Sequence, residues 1–144
     1  MTKQILAVLR EGWDGPKPGA GYYLDADGGL KTTLAGLTAE RASKAVGGNS
    51  IAAHAHHILF SFEAFKAFVT GDKSQRDWSQ SWAVNEVDDG QWAKLQGDLA
   101  TRYDELRAAI KESSGDEAEG RVELLFETHD RVCDGRQRLD FHDW

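Results

Sequence analysis

The chain has 144 residues, the usual size of one domain and long enough to bury a substantial core. Its formal net charge is −7, and its one basic cluster, near the C-terminal end, is interrupted by acids, which excludes the basic face that duplex DNA requires. The single cysteine excludes an internal disulfide. No apolar run approaches the roughly eighteen residues of a membrane span, and no signal segment is visible at the start. We therefore expect one soluble, cytoplasmic domain over 1–144 that binds neither nucleic acid nor membrane.

Good helix formers predominate, and both prolines lie in one loop between Gly12 and Gly21. Because proline disrupts helix interiors and alternating β-branched runs are absent, we predict an all-α fold. The predicted elements of the first part are a helix from Thr2 to about Glu11, a long loop, and short helices over 30–36 and 38–46, the second beginning after Thr38 and ended by Gly47 and Gly48.

Three further long helices are predicted, and the stretch 72–87 between the first two of them is expected to be irregular or partly helical. They run from Ile51 to Val69 after a Ser50 cap, from the capping box of Asp88 and Gln91 to about Glu112, and onward from about Asp116. Apolar residues follow helical spacing in each of them. The inward positions are predicted to be Ile51, Ala55, Ile58, Phe62, Phe65 and Val69, then Trp92, Leu95, Leu99, Leu106 and Ile110, with Tyr103 on the flank of the second face. Four long amphipathic segments predict a four-helix bundle, with short extra helices between the first two.

Three of the five histidines lie within four residues of each other, at His54, His56 and His57. With about 3.6 residues per turn, His54 falls within the apolar stripe, His57 on its edge, and His56 points towards solvent. Imidazole is the commonest metal ligand and titrates near neutrality. Inward-facing histidines of a bundle can therefore bind metal or transfer protons. The alternative is that His54 and His57 are ordinary core or boundary residues.

Several short motifs occur in a characteristic order along most of the chain. They are Leu34-Ala35-Gly36-Leu37-Thr38-Ala39-Glu40, Asn49-Ser50-Ile51, His57-Ile58, Asp77-Trp78 and Asp89-Gly90-Gln91-Trp92. With these motifs in this order, the sequence resembles those of the DinB-like (DinB/YfiT-like) family of metal-binding four-helix bundles. The resemblance implies the same bundle fold and a divalent-metal site.

Members of that family bind the metal through one histidine of the second helix and a His-x-x-x-His pair of the last. The resemblance assigns the first role to His57 and the start of the pair to His129, whereas Cys133 replaces the second histidine of the pair. His-x-x-x-Cys still presents two ligands on one helical face. The implied ligands are therefore His57, His129 and Cys133, with one open position. Nitrogen and sulfur ligands favour zinc or nickel over magnesium.

The resemblance implies two kinds of activity, a metal-dependent transferase that uses a low-molecular-weight thiol, or a hydrolase-like enzyme. A metal with an open position would activate a bound thiol or water. In that case His54 is the candidate catalytic residue, orienting a ligand or moving a proton. A small thiol or another small-molecule substrate, and a second copy in a homodimer, are the implied partners.

Two other hypotheses stay open at this stage. The altered last-helix motif and the polar segment 136–144 favour a decayed metal site, and the chain would then be a non-catalytic, stress-associated bundle protein. Such a protein would act as a homodimer, the assembly that the resemblance implies. Alternatively, Cys133 is a nucleophile with His129 as its base, although a lone cysteine on an apolar face is more often an inert packing residue.

Overall fold

The structure, a computed structural model, describes residues 2–19, 21–25 and 28–113. Its elements are α1 (Thr2–Asp14), α2 (Leu30–Ala35), α3 (Ala39–Ala42), β1 (Ala45–Val46), β2 (Asn49–Ser50), α4 (Ile51–Val69), a 3₁₀ helix (Trp78–Trp82) and α5 (Asp89–Glu112). The two strands form one short antiparallel hairpin. The described part of the chain is otherwise helical or irregular, so the all-α prediction is confirmed there. The fourth long helix, predicted from about Asp116, lies outside the described residues.

Helices α4 and α5 begin and end where the sequence predicts. The Ser50 hydroxyl accepts the backbone N–H of Ala53 at 3.0 Å and starts α4, and Gly71, with φ of +90°, follows its last turn. At α5, the Asp88 carboxylate accepts the Gln91 N–H at 2.7 Å, and the Gln91 side chain accepts the Asp88 N–H at 2.9 Å. These caps satisfy backbone donors that the first helical turn leaves unpaired.

Two predicted boundaries are wrong. Helix α1 continues through Gly12 to Asp14, and this extension buries Trp13 in the core. Helix α3 starts after the predicted Thr38 cap but ends at Ala42 rather than at position 46. The pair Gly47–Gly48 does not end a helix but makes the turn of the β1–β2 hairpin, with φ values of +71° and +121°. A two-residue hairpin turn favours glycine because it needs positive φ.

The core lies mainly between α4 and α5, with α1 and α2 also packed against α5. The five positions predicted to face inward on α5 are buried, and so is Tyr103, which is predicted only on the flank of that face. Of the predicted α4 stripe, Ala55 and Val69 are buried, and the larger side chains are partly buried against the same core clusters. At the centre, the Trp13 indole stacks on the Tyr103 ring with centroids 4.8 Å apart. The spacing of apolar residues therefore predicts the packed faces of both helices.

Glu11 on α1 anchors the loop that follows α1. Its carboxylate is fully buried and accepts three successive backbone N–H groups, those of Tyr22 at 2.6 Å, Tyr23 at 2.8 Å and Leu24 at 2.8 Å. Burial by itself raises the pKa of Glu11, but the three N–H donors outweigh it and hold the pKa below its ordinary value. The loop is thus tied to α1 by a charged acceptor that hydrophobic patterning does not reveal.

None of the helices in the described ranges has both the length and the apolar character needed to cross a membrane.

Candidate functional site around the histidines of α4

The connection between α4 and α5 brings its 3₁₀ helix against the histidine-bearing part of α4. We call the resulting group the histidine–tryptophan cluster; its members are His54, His56, His57, Trp78, Ser81 and Trp82. Asp77 starts the 3₁₀ helix by accepting the Ser79 N–H at 3.0 Å. The cluster therefore joins two elements that are separated by an irregular stretch of sequence.

Serines from earlier elements hold the end of this connection in place. The Ser50 hydroxyl, which also caps α4, donates to the backbone oxygen of Asn85 at 2.5 Å. The Ser43 hydroxyl donates to Val87 O at 3.3 Å and accepts the Val87 N–H at 3.0 Å. Buried backbone groups need such partners wherever no regular secondary structure supplies them. These contacts fix the path of the chain from the 3₁₀ helix to α5.

His57 is the most constrained histidine of the cluster. It is half-buried, and its Nδ1 lies 2.9 Å from the hydroxyl oxygen of Ser81. Its ring stacks on the Trp82 indole, with centroids 4.2 Å apart and planes 13° apart. The Trp78 ring is tilted against the same imidazole at 6.2 Å. The position on the edge of the apolar stripe agrees with the sequence prediction, and the neighbouring 3₁₀ helix accounts for the burial.

His56 does not point into solvent, contrary to the prediction. It is half-buried, and its Nδ1 lies 2.8 Å from the backbone oxygen of Ser81. The helical projection places His56 away from the apolar stripe, and the His56 ring contacts the 3₁₀ helix. However, the connection between α4 and α5 covers that side of α4, so a residue off the main stripe still becomes partly buried.

His54 is exposed rather than part of the core, which corrects the second orientation prediction. Its ring meets the Trp82 indole edge-on, with centroids 5.3 Å apart and an interplanar angle of 87°. Trp82 is itself partly exposed, at 36%. His54 therefore lies at the solvent side of the cluster, whereas His57, whose ring also contacts Trp82, is more enclosed.

Ser81, like Trp82, is a member of this cluster that no motif in the sequence marks. Ser81 has the more unusual environment of the two. Its side chain is fully buried, and its hydroxyl donates to the backbone oxygen of Trp78 at 2.7 Å. A fully buried hydroxyl whose proton points to a carbonyl is not a nucleophile, so Ser81 and His57 do not form a serine–histidine catalytic pair. No local pattern marks Ser81, because its role depends on contacts with α4 that are distant in sequence.

The predicted metal ligands are only partly covered by the structure. His57 lies in the histidine–tryptophan cluster, whereas His129 and Cys133 lie outside the described residues. Within the ranges that are described, no three His, Cys, Asp or Glu side chains are grouped so as to hold a metal ion. The three histidines of α4 thus do not form a metal site among themselves.

Comparisons with models of known protein families, with curated proteins and with solved structures found no match to this chain.

Proposed function

We propose that this chain is a divalent-metal-binding protein of the DinB-like type, folded as a four-helix bundle, with His57 as its first metal ligand. The observation that carries the proposal is the fixed His57 ring, which is half-buried, hydrogen-bonded through Nδ1 to Ser81 and stacked on Trp82. A histidine that binds a metal through one ring nitrogen almost always makes a hydrogen bond through the other. A ring that is already oriented loses little conformational entropy when it binds.

In this proposal His129 and Cys133, from the predicted last helix, complete the ligand set. A set of two histidines and one cysteine suits zinc or nickel, and three protein ligands leave one position open. A metal held there would supply an activated thiol or water for a transferase or hydrolase reaction. His54, which is exposed beside Trp82, is proposed as the catalytic residue rather than as a ligand.

The bundle part of the proposal rests on the three long helices α1, α4 and α5, which pack together in the same two hydrophobic clusters. The segment beyond Ser113 has the apolar spacing of a fourth amphipathic helix, with Val122, Leu125, Phe126 and His129 on one face. Four long helices around one core are the usual architecture for metal sites formed by facing side chains. A second copy bound as a homodimer is also part of this proposal.

Elemental analysis of the full chain, purified without added metal, is the first test. We expect close to one zinc or nickel per chain, loss of the metal in His57→Ala and Cys133→Ser, and its retention in His56→Ala. Wild-type protein that contains no metal and binds none when zinc or nickel is added would contradict the proposal. Transfer assays with small thiols on the metal-loaded protein then separate a transferase from a hydrolase.

The replacement of the second ligand histidine by Cys133 favours one alternative function, a non-catalytic bundle protein with a decayed metal site. This alternative predicts a stably folded, metal-free protein. In His57→Ala its unfolding temperature should fall only by the small amount that the loss of local packing causes. It also predicts no stabilisation by added zinc, whereas a ligand that binds only the folded state must raise the unfolding temperature.

A further inference from the structure

Ser81 contacts two histidines of α4 through two different atoms. Its hydroxyl oxygen lies 2.9 Å from Nδ1 of His57, and its backbone oxygen lies 2.8 Å from Nδ1 of His56. Its hydroxyl also contacts the backbone oxygen of Trp78 at 2.7 Å. Ser81 is fully buried, and these contacts give both its hydroxyl and its backbone oxygen a hydrogen-bond partner within the protein.

The chemistry of these contacts determines where the protons lie. The backbone oxygen of Trp78 can only accept, so it takes the single proton of the Ser81 hydroxyl. The Ser81 oxygen is then an acceptor towards His57, and Nδ1 of His57 must carry the proton. With any other assignment, one of the two contacts that the hydroxyl makes would not be a hydrogen bond. A neutral imidazole with a proton on Nδ1 has its lone pair on Nε2.

We propose that Ser81 is a positioning residue that fixes His57 as the Nδ1–H tautomer and so makes Nε2 its metal-binding atom. The assignment of Nε2 as a ligand rests on the proposed function, whereas the tautomer itself does not. Ser81 acts through its hydroxyl on His57 and through its backbone carbonyl on His56. Replacing the Ser81 side chain therefore removes only the first of the two contacts, which makes His56 an internal control.

The primary test is the tautomer of each histidine in the metal-free full chain. Two-dimensional ¹H–¹⁵N spectra of the imidazole rings distinguish Nδ1–H from Nε2–H, and His57→Ala and His56→Ala assign the signals. The spectra are recorded at about pH 8, above the ordinary range for histidine. We expect the Nδ1–H form at both His57 and His56 in the wild-type protein. An Nε2–H form at His57 overturns the proposal without any variant of Ser81.

The variant test compares Ser81→Ala with Ser79→Ala. Ser79 belongs to the same 3₁₀ helix and is exposed. Its hydroxyl donates a hydrogen bond to the carboxylate of Asp77 rather than contacting a histidine. In Ser81→Ala we expect His57 to change to the Nε2–H form that predominates for histidine in water, while His56 keeps its proton on Nδ1. In Ser79→Ala neither histidine should change. An unaltered His57 tautomer in Ser81→Ala, with His56 also unaltered, contradicts the role of the hydroxyl.

Zinc affinity provides a readout that separates this inference from the proposed function. Loss of the group that hydrogen-bonds the non-ligating nitrogen of a metal-bound histidine weakens metal binding by roughly 10- to 100-fold. We therefore expect Ser81→Ala to bind zinc that much more weakly than Ser79→Ala. If zinc binds through His57 equally well in both variants, Ser81 has no positioning role although the metal site stands. If the tautomers behave as expected but zinc does not bind the wild-type chain, the proposed function fails and the tautomer assignment stands.

Discussion

The imidazole of His57 lies nearly parallel to the indole of Trp82, with ring centroids 4.2 Å apart and planes 13° apart. The hydrogen bond to Ser81 limits rotation of the same ring within its plane, because it holds Nδ1 at 2.9 Å from the hydroxyl oxygen. One short 3₁₀ helix thus restricts both the tilt and the rotation of His57. Such preorganisation is what a precise ligand or proton-transfer group requires.

Removal of the stacking surface should weaken metal binding at His57. Stacked aromatic pairs contribute about 0.5–1.5 kcal/mol beyond the area they bury, so Trp82→Ala should lower zinc affinity by about two- to tenfold. Trp82→Phe keeps a flat ring and should lose less. Isothermal titration or a competition assay with a zinc chelator gives both values. Equal losses in the two variants would show that a flat aromatic ring at this position is not sufficient to orient His57, whereas no loss in either variant would show that stacking does not orient it.

His57 and His56 should differ strongly in their importance for metal binding. His57→Ala should abolish zinc binding, and wild-type binding should weaken as pH falls through the imidazole range, because the ligands must be deprotonated. His56→Ala should leave the stoichiometry unchanged. It removes a partner of the Ser81 carbonyl and should therefore lower the free energy of unfolding by about 1 kcal/mol. Loss of the metal in His56→Ala with His57 intact would refute this assignment.

The buried carboxylate of Glu11 should make folding stability depend on pH in the acid range. The Glu11 pKa is lower in the folded protein than its ordinary value of 4.5, because backbone N–H groups outweigh burial. As pH falls, Glu11 therefore becomes protonated at a higher pH in the unfolded chain than in the folded protein. The stabilisation by ionised Glu11 is fully present above the ordinary value and is lost as pH falls through the folded-state pKa.

Glu11→Gln tests this dependence directly. A glutamine offers one acceptor oxygen to the three N–H groups that the carboxylate satisfies, so we expect thermal unfolding several degrees lower at neutral pH. The difference from wild type should narrow in acid. Glu86→Gln, at an exposed position, is the matched control. It should change neither the unfolding temperature at neutral pH nor the dependence of that temperature on pH. A pH-independent difference would mean that packing, rather than the charge of Glu11, holds the loop.

Two tyrosine hydroxyls should respond differently to the same substitution. The Tyr103 hydroxyl is buried and has no hydrogen-bond partner among the described residues, whereas the Tyr23 hydroxyl donates to Val8 O at 3.0 Å. Tyr103→Phe should be neutral or stabilise the fold by up to about 1 kcal/mol, and Tyr23→Phe should cost about 0.5–1 kcal/mol. Urea unfolding curves of the two variants measure the difference. A clear loss of stability in Tyr103→Phe would reveal a hydrogen bond made by its hydroxyl.

The long helices could be predicted from the sequence because their determinants are local. The ends of α4 and α5 depend on caps within three residues of the first turn, at Ser50 and Asp88. Their inward faces depend on apolar residues three and four apart, which share a helical face in any environment. The same local reasoning failed at Gly47–Gly48, since a glycine pair can end a helix or turn a hairpin. Which of the two forms depends on what the flanking residues pair with.

The surroundings of the histidines were decided only by the tertiary structure. Helical spacing determines the angle between His54, His56 and His57 around α4, and the half-burial of His57 agrees with its predicted position on the edge of the stripe. It does not determine which neighbouring segment covers each side of the helix. His57 and Ser81 are 24 positions apart, and their contact forms because the connection between α4 and α5 crosses that side of α4. Burial and hydrogen bonding at such a site come from long-range packing, which residue spacing within one helix does not encode.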